Sequence, residues 1–427
     1  MDNKLTFKNL ILGLQHLVAM FGATVLVPAI TGFNPAVALL AAGIGTLLFH
    51  FVTKRKVPVF LGSSFSFIAV IIAVKEMHGG DLAYAQGGLM VAGLVYVIIS
   101  LFIGKVKVST LQKVLPSYVI GPMIIIIGLT LIPVAFDMAS LNFLLAGLTL
   151  LYVILINAFA KGLVKQMSIL LAVVMGYVTA LIIGMITGTP ILDFAPITNA
   201  SIFAIPEMTL PKFSLPAIIT IVPVVLAVFM EHIGDVTTNG TVVGQDFLKD
   251  PGLNRTLLGD GLATMFAALI GGPANTTYGE NTSVLAITKN YDPRNLRIAA
   301  VFAILLALIG KFGAVLQTIP VAVMGGISFM LFGMIAWIGV KMIKDSKVEF
   351  NAQSLIVMVT MLIIGLGTSY LKKYAGISIG IPITSTVMLD GLSLAAIVGV
   401  SLNVVLNTVF KTENKEVEES ASKVEAV

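Results

Sequence analysis

The chain has 427 residues, 57% of them hydrophobic and only 11% charged, with a mean hydropathy of +1.02. A soluble domain carries roughly 25% charged residues, so this composition excludes one and describes a polytopic membrane protein. The net charge of +5 does not point to nucleic acid, because the basic residues sit between apolar runs, and the absence of cysteine excludes disulfides and thiolate chemistry.

Apolar runs of about 20 residues, long enough to cross hydrocarbon, recur from Leu10 almost to Phe410. In chain order they give fourteen membrane segments: 9–31, 35–52, 57–74, 83–104, 114–136, 139–160, 166–187, 214–237, 253–271, 273–288, 296–316, 319–340, 350–371 and 384–410. The first contains Gln15 and His16, is too long and polar for a signal peptide, and reads as a retained span. Of the 26 Lys and Arg, this threading puts 21 on the side of the N-terminus and 5 on the other (Lys75, Lys212, Lys311, Lys372 and Lys373), which predicts both termini in the cytoplasm. The charged stretch 412–427 lacks aromatic residues and is expected to be a disordered tail.

The third and tenth segments are short and broken by Gly, Pro, Ser, Thr and Asn. One reads Val57-Pro-Val-Phe-Leu-Gly-Ser-Ser-Phe-Ser-Phe67; the other reads Gly272-Pro-Ala-Asn-Thr-Thr-Tyr-Gly-Glu-Asn281. Each is third in its run of seven segments, and seven is odd, so the second half is inverted relative to the first. Paired broken segments in inverted halves point to a transporter binding site. The expected fold is therefore an all-α polytopic membrane protein of two inverted seven-segment repeats. Segments three and ten are each a short strand followed by a half-helix. Their strands pair with each other, because hydrocarbon tolerates no lone strand. The half-helix N-termini aim free backbone N–H groups at a ligand.

Five carboxylates fall in or near apolar segments: Glu231, Asp235, Asp260, Glu280 and Asp390. Glu231 and Asp235 are four residues apart and share a helix face, with His232 about a quarter-turn away. Ionisable groups at this depth mark function by default, so Glu231, Asp235 and Glu280 are candidate ligand or proton sites. The structural alternative has Asp235 capping an unwinding helix end or bonding to Thr237, Thr238 and Asn239. Asp260 reads as structural or gating, Asp390 as part of an interfacial turn, and His16 as a packing residue; His50 and His78 receive no role. Phe65, at the start of a half-helix, is either core or a ligand contact. No zinc motif, nucleophile elbow or P-loop is present, so neither an enzyme nor an ATP-driven pump is expected.

Six stretches carry a resemblance covering nearly the whole chain, to about residue 410: Leu14–Pro28, Leu61–Phe67, Glu231-His-Ile-Gly234, Asp250–Arg255, Thr276-Thr-Tyr-Gly-Glu-Asn281 and Ile319–Gly326. On these the chain resembles the bacterial uracil permeases of the nucleobase–cation symporter-2 family, also called nucleobase–ascorbate transporters. The resemblance implies a core domain (1–107 and 211–316) and a gate domain (108–210 and 317–411), usually a homodimer, in the bacterial cytoplasmic membrane. It implies proton-coupled uracil import by alternating access, with no cofactor other than the coupling H+. Glu231 and Glu280 look like the acids that hydrogen-bond the pyrimidine. Phe65 and Gly279 look like its backbone N–H donors, and Ala23 like a pocket wall. Glu280, Asp235 and Glu231 are the proton-coupling candidates. The chain departs from the pyrimidine pattern at Asp235, where those members carry His, and at Ser283, where the signature has Gly. Asp235 keeps a xanthine or purine symporter open as the alternative. An anion transporter of the same architecture is disfavoured by the acids at the half-helix junction.

Overall fold

The computed structural model describes residues 6–104, 113–383 and 388–424, with backbone alone from residue 410 onward. Nearly all of it is helical. Among the described residues, nine helical stretches are long and apolar enough to cross a membrane.

The longer helices are α1 (Phe7–Thr31), α2 (Pro35–Val52), α3 (Ile68–Met77), α4 (Ala83–Ile103), α5 (Ser117–Thr130), α6 (Ile132–Ser140), α7 (Phe143–Phe159), α8 (Ser168–Thr187), α9 (Leu215–Ile221), α10 (Val224–Val243), α11 (Leu253–Leu269), α12 (Gly279–Thr288), α13 (Pro293–Ala307), α14 (Gly310–Gln317), α15 (Val321–Asp345), α16 (Ala352–Leu362) and α17 (Gly391–Val424). Their ends carry ordinary local signals. Thr6 and Asn9 form a capping box at the start of α1, and left-handed Gly32 closes it. Asn34 caps α2, with Pro35 as its first residue. Between α2 and α3 lies a strand, β1 (Leu61–Ser63), then a single 3-10 turn, Phe65–Phe67. A second strand, β2 (Asn275–Thr277), precedes α12.

By compactness the chain divides into two units: residues 1–105 with 131–333, and residues 106–130 with 334–427. In the first, α4 and α11 pack backbone to backbone through facing glycines. A Cβ on Gly93 or on Gly261 would fall 2.9 Å from the other's carbonyl oxygen. At the far end of α3, His78 stacks on Tyr84 and meets the Ser214 hydroxyl at 2.9 Å. Beside it, Lys212 bonds Asp81 at 2.8 Å and holds its carboxyl below the usual carboxylate range. In the second unit, Tyr118 donates to Asn403 at 2.6 Å and Gln353 donates to Asn407 at 2.8 Å, while Lys372 pairs with Asp390 at 2.8 Å. The first unit takes in 131–210 and 317–333, which the sequence reading groups with the gate. The 107/108 boundary of the expected core and gate lies outside the described residues.

Several boundaries differ from expectation. The eighth segment's run of helical hydrogen bonds is interrupted at Val222–Pro223, where the backbone angles stay helical, and so it divides into α9 and α10; α10 runs on to Val243. The eleventh is two helices, α13 and α14. Residues 384–387, the first four of the fourteenth expected segment (384–410), lie outside the described residues; before α17 two short strands, β3 (Ile381–Pro382) and β4 (Met388–Leu389), pair antiparallel. α17 is helical through Val424, across residues for which low aromatic content and high charge predict disorder. Glu and Lys are good helix formers, so the segment's charge does not oppose helix.

Gly62 sits in β1 beneath the Tyr278 ring, and a Cβ there would overlap that ring and lie 2.7 Å from Thr24 Oγ1. Gly62→Ala is expected to lower stability by about 1–3 kcal/mol. Thermal unfolding in detergent, followed by size-exclusion profile, checks this; an unchanged midpoint would contradict it.

Candidate functional site

The two broken segments meet. β1 and β2 pair antiparallel in the register Leu61↔Thr277, Gly62↔Thr276 and Ser63↔Asn275. The ladder extends one step each way, through Ser64 N–H to Ala274 C=O at 2.8 Å and Tyr278 N–H to Phe60 C=O at 3.0 Å. A two-stranded ladder leaves outer edges that lipid cannot satisfy, and side chains of neighbouring helices cover them. On α2, Thr46 Oγ1 accepts from Leu61 N–H at 2.9 Å and the His50 ring donates to Val59 C=O at 2.9 Å. On α11, Thr264 donates to Asn275 C=O at 2.9 Å. On α10, Asn239 donates to Pro58 C=O at 3.1 Å and to Thr282 at 3.0 Å. The Asn275 amide reaches Ala41 C=O at 3.0 Å.

Tyr278 fastens this ladder to α1. Its hydroxyl donates to Ser63 C=O at 2.9 Å and meets Thr24 Oγ1 at 3.4 Å, while Ser63 donates to Thr24 C=O at 3.2 Å. The 3-10 turn at Phe65 and the first turn of α12 at Gly279 therefore start beside each other. The leading N–H groups of a helix have no intrahelical partner. The Gly279 backbone is exposed, and nothing lies within 4 Å of where its Cβ would be. Phe65 is buried, its ring edge-on to Phe332 at 6.3 Å.

Three partly buried carboxylates belong to this junction: Glu231 and Asp235 on α10, and Glu280 in the first turn of α12. Their charges interact with one another. Ser66 of the first broken segment donates to Glu231 Oε2 at 2.6 Å, and Thr277 of the second donates to Asp235 Oδ2 at 2.9 Å. Each broken segment thus holds one α10 acid with a neutral hydroxyl. The Asp235 alternative is corrected: α10 does not unwind there, Thr237 and Thr238 bond back to Ile233 and Gly234 carbonyls, and Asn239 turns to Pro58 and Thr282. Ala23 is fully buried on α1, next to Thr24 and so beside the ladder. His16 accepts through its backbone oxygen from Asn281 at 2.9 Å, with its Nδ1 3.3 Å from the same amide. Sequence reasoning missed Ser66, Thr277, Tyr278 and Asn239 as parts of the site. Their signal was available: polar residues inside or beside segments that lipid should exclude.

A helical membrane protein with paired broken segments and clustered acids has the marks of a transporter. The chain matches the family described as "Permease family" over residues 7–374 and belongs to it. It is 42% identical over 423 residues to a probable uracil permease of Pasteurella multocida (strain Pm70), covering 97% of this chain and 96% of that protein. It is 41% identical over 413 residues to the uracil permease of Bacillus subtilis (strain 168), covering 92% and 91%. Its fold is similar to the solved structure of SLC26A9, with TM-score 0.69 at 12% identity; the match covers 95% of this chain, which spans 65% of that one. The chain is thus a multi-pass membrane transporter rather than an enzyme.

Thr277→Val would leave Asp235 without its hydroxyl donor, and the expected loss of stability is about 1–3 kcal/mol. Thr277→Ser should restore most of it. Thermal unfolding of both variants decides; equal midpoints for wild type and Thr277→Val would contradict the bond.

Proposed function

We propose that this permease is a proton-coupled importer of uracil that works by alternating access. The observation that supports the reading is the β1–β2 pairing: the helix starts at Phe65 and Gly279 follow directly on the paired strands, and Ser66 and Thr277 of the same segments bond Glu231 and Asp235. Uracil alternates ring N–H donors with C=O acceptors around a flat ring. Carboxylates of Glu231 and Glu280 suit the N–H groups, and the backbone N–H groups of Phe65 and Gly279 suit the carbonyl oxygens. Ala23 supplies an apolar wall. A protonated carboxyl adds a donor that an ionised one lacks. Substrate affinity then depends on a proton at Glu280, Asp235 or Glu231, and this dependence couples the two fluxes. The names of the relatives support uracil as substrate.

The same reading includes fourteen segments in two inverted repeats, a core that moves against a gate, both termini in the cytoplasm, a bacterial cytoplasmic membrane and a homodimer. The likeness to SLC26A9 carries fold alone. A xanthine or purine substrate is the second reading, motivated by Asp235, which stands where the resembled pyrimidine transporters carry His.

Two measurements test this. Glu280→Gln should fold but lose uracil affinity by at least about tenfold, the effect of one charge-assisted hydrogen bond. Calorimetric binding and uptake matching wild type would overturn the assignment. Labelled uracil uptake should be competed by excess uracil, not by excess xanthine, and abolished by a protonophore. Competition by xanthine would favour the purine reading.

A further inference from the structure

Behind Glu231, a second titratable pair is sealed from solvent. His232 on α10 and Asp260 on α11 are fully buried, with Nδ1 and Oδ2 3.3 Å apart. The other ring nitrogen, Nε2, lies 3.0 Å from Thr256 Oγ1. Thr256 already directs its hydroxyl hydrogen to Leu253 C=O at 3.1 Å, so its oxygen accepts and Nε2 donates. A neutral imidazole has one N–H. With that hydrogen on Nε2, Nδ1 is an acceptor facing a carboxylate oxygen, also an acceptor. Two acceptors so close in a dry interior are unfavourable unless one proton lies between them. Whether the proton is drawn on the ring or on the carboxyl, the pair holds one.

A purely structural buried pair is normally satisfied all round. Here both Asp260 carboxyl oxygens, His232 Nδ1 and the Tyr96 hydroxyl on α4 are buried without a well-aligned hydrogen-bond partner among the described residues. Tyr96 interacts electrostatically with both Asp260 and Glu231. The other titratable groups near the pair are Glu231 and Asp235 on its own helix; Glu280 on α12 interacts with both of these.

We propose that His232 and Asp260 bind one shared proton and form a further proton-binding site of the permease, one helix turn or less from the Glu231 and Asp235 acids on α10. This rests on the proton-coupled reading above. Binding the proton makes the pair neutral overall, and releasing it leaves the pair with one negative charge.

Asp260→Asn keeps the side-chain shape and can donate an amide hydrogen to Nδ1, but it has no proton to exchange. The test is made in proteoliposomes. Asp260→Asn should exchange preloaded uracil within about threefold of wild type, yet accumulate it under an inward proton gradient at least about tenfold less. Accumulation equal to wild type, with the same pH profile, overturns the proposal. A wild type that ignores the gradient overturns the coupling reading and this proposal with it. Should Asp260→Asn fail to fold, histidine 15N spectra of wild type decide, with the His232 signals assigned by their loss in His232→Gln. The expected spectrum has Nε2 protonated and Nδ1 sharing a proton; an Nδ1 free of any proton contact overturns the assignment.

Discussion

Hydrocarbon offers backbone amides no partner, and the organisation of this site follows from that constraint. A chain that breaks its helices inside the membrane must satisfy the freed N–H and C=O groups from within. β1 and β2 do so for each other on one edge. On the other edges Thr46, His50, Thr264 and Asn239 take the place that water takes in a soluble protein. These side chains come from three helices, so α2, α10 and α11 are tied to the ladder. The helix starts at Phe65 and Gly279 inherit their positions from it.

The acids obey the same constraint in electrostatic form. A charge in a low-dielectric interior needs a partner or a proton. Glu231 and Asp235 are met by Ser66 and Thr277, which are neutral donors rather than Lys or Arg. A fixed cation would hold a carboxylate ionised, whereas a hydroxyl can donate to a carboxylate or accept from a carboxyl. The hydroxyls thus leave either protonation state open, as the proposed proton coupling requires. His232 and Asp260, with no solvent contact at all, answer the same demand by facing each other.

Much of this was legible in the chain. Proline and glycine in the third and tenth segments, set among Ser, Thr and Asn, announced the breaks, and Glu231 and Glu280 stood out because apolar runs surround them. Other features were hidden because they depend on distant partners. Ser66 lies 165 residues from Glu231, and no spacing rule links them. Asp235 had ready local partners in Thr237 and Thr238, which the helix uses instead to bond its own carbonyls. The break at Val222–Pro223 was masked by continuous hydrophobicity on both sides. The tail was read from charge and aromatic content, which track core burial; the local helix propensity of Glu and Lys is a separate property.

Hydropathy and the placement of Pro, Gly and acidic residues determined by themselves that the chain lives in a membrane, that its third and tenth segments break, and which carboxylates lie among apolar residues. These are properties of short stretches, and lipid penalises each stretch on its own account. Tertiary structure alone decided the register of Leu61 against Thr277, the seat of Tyr278 over Gly62, the hydroxyl held by each acid, and the meeting of His232 with Asp260. Each of these joins residues far apart in sequence, and only the packing of whole helices brings them within hydrogen-bonding distance.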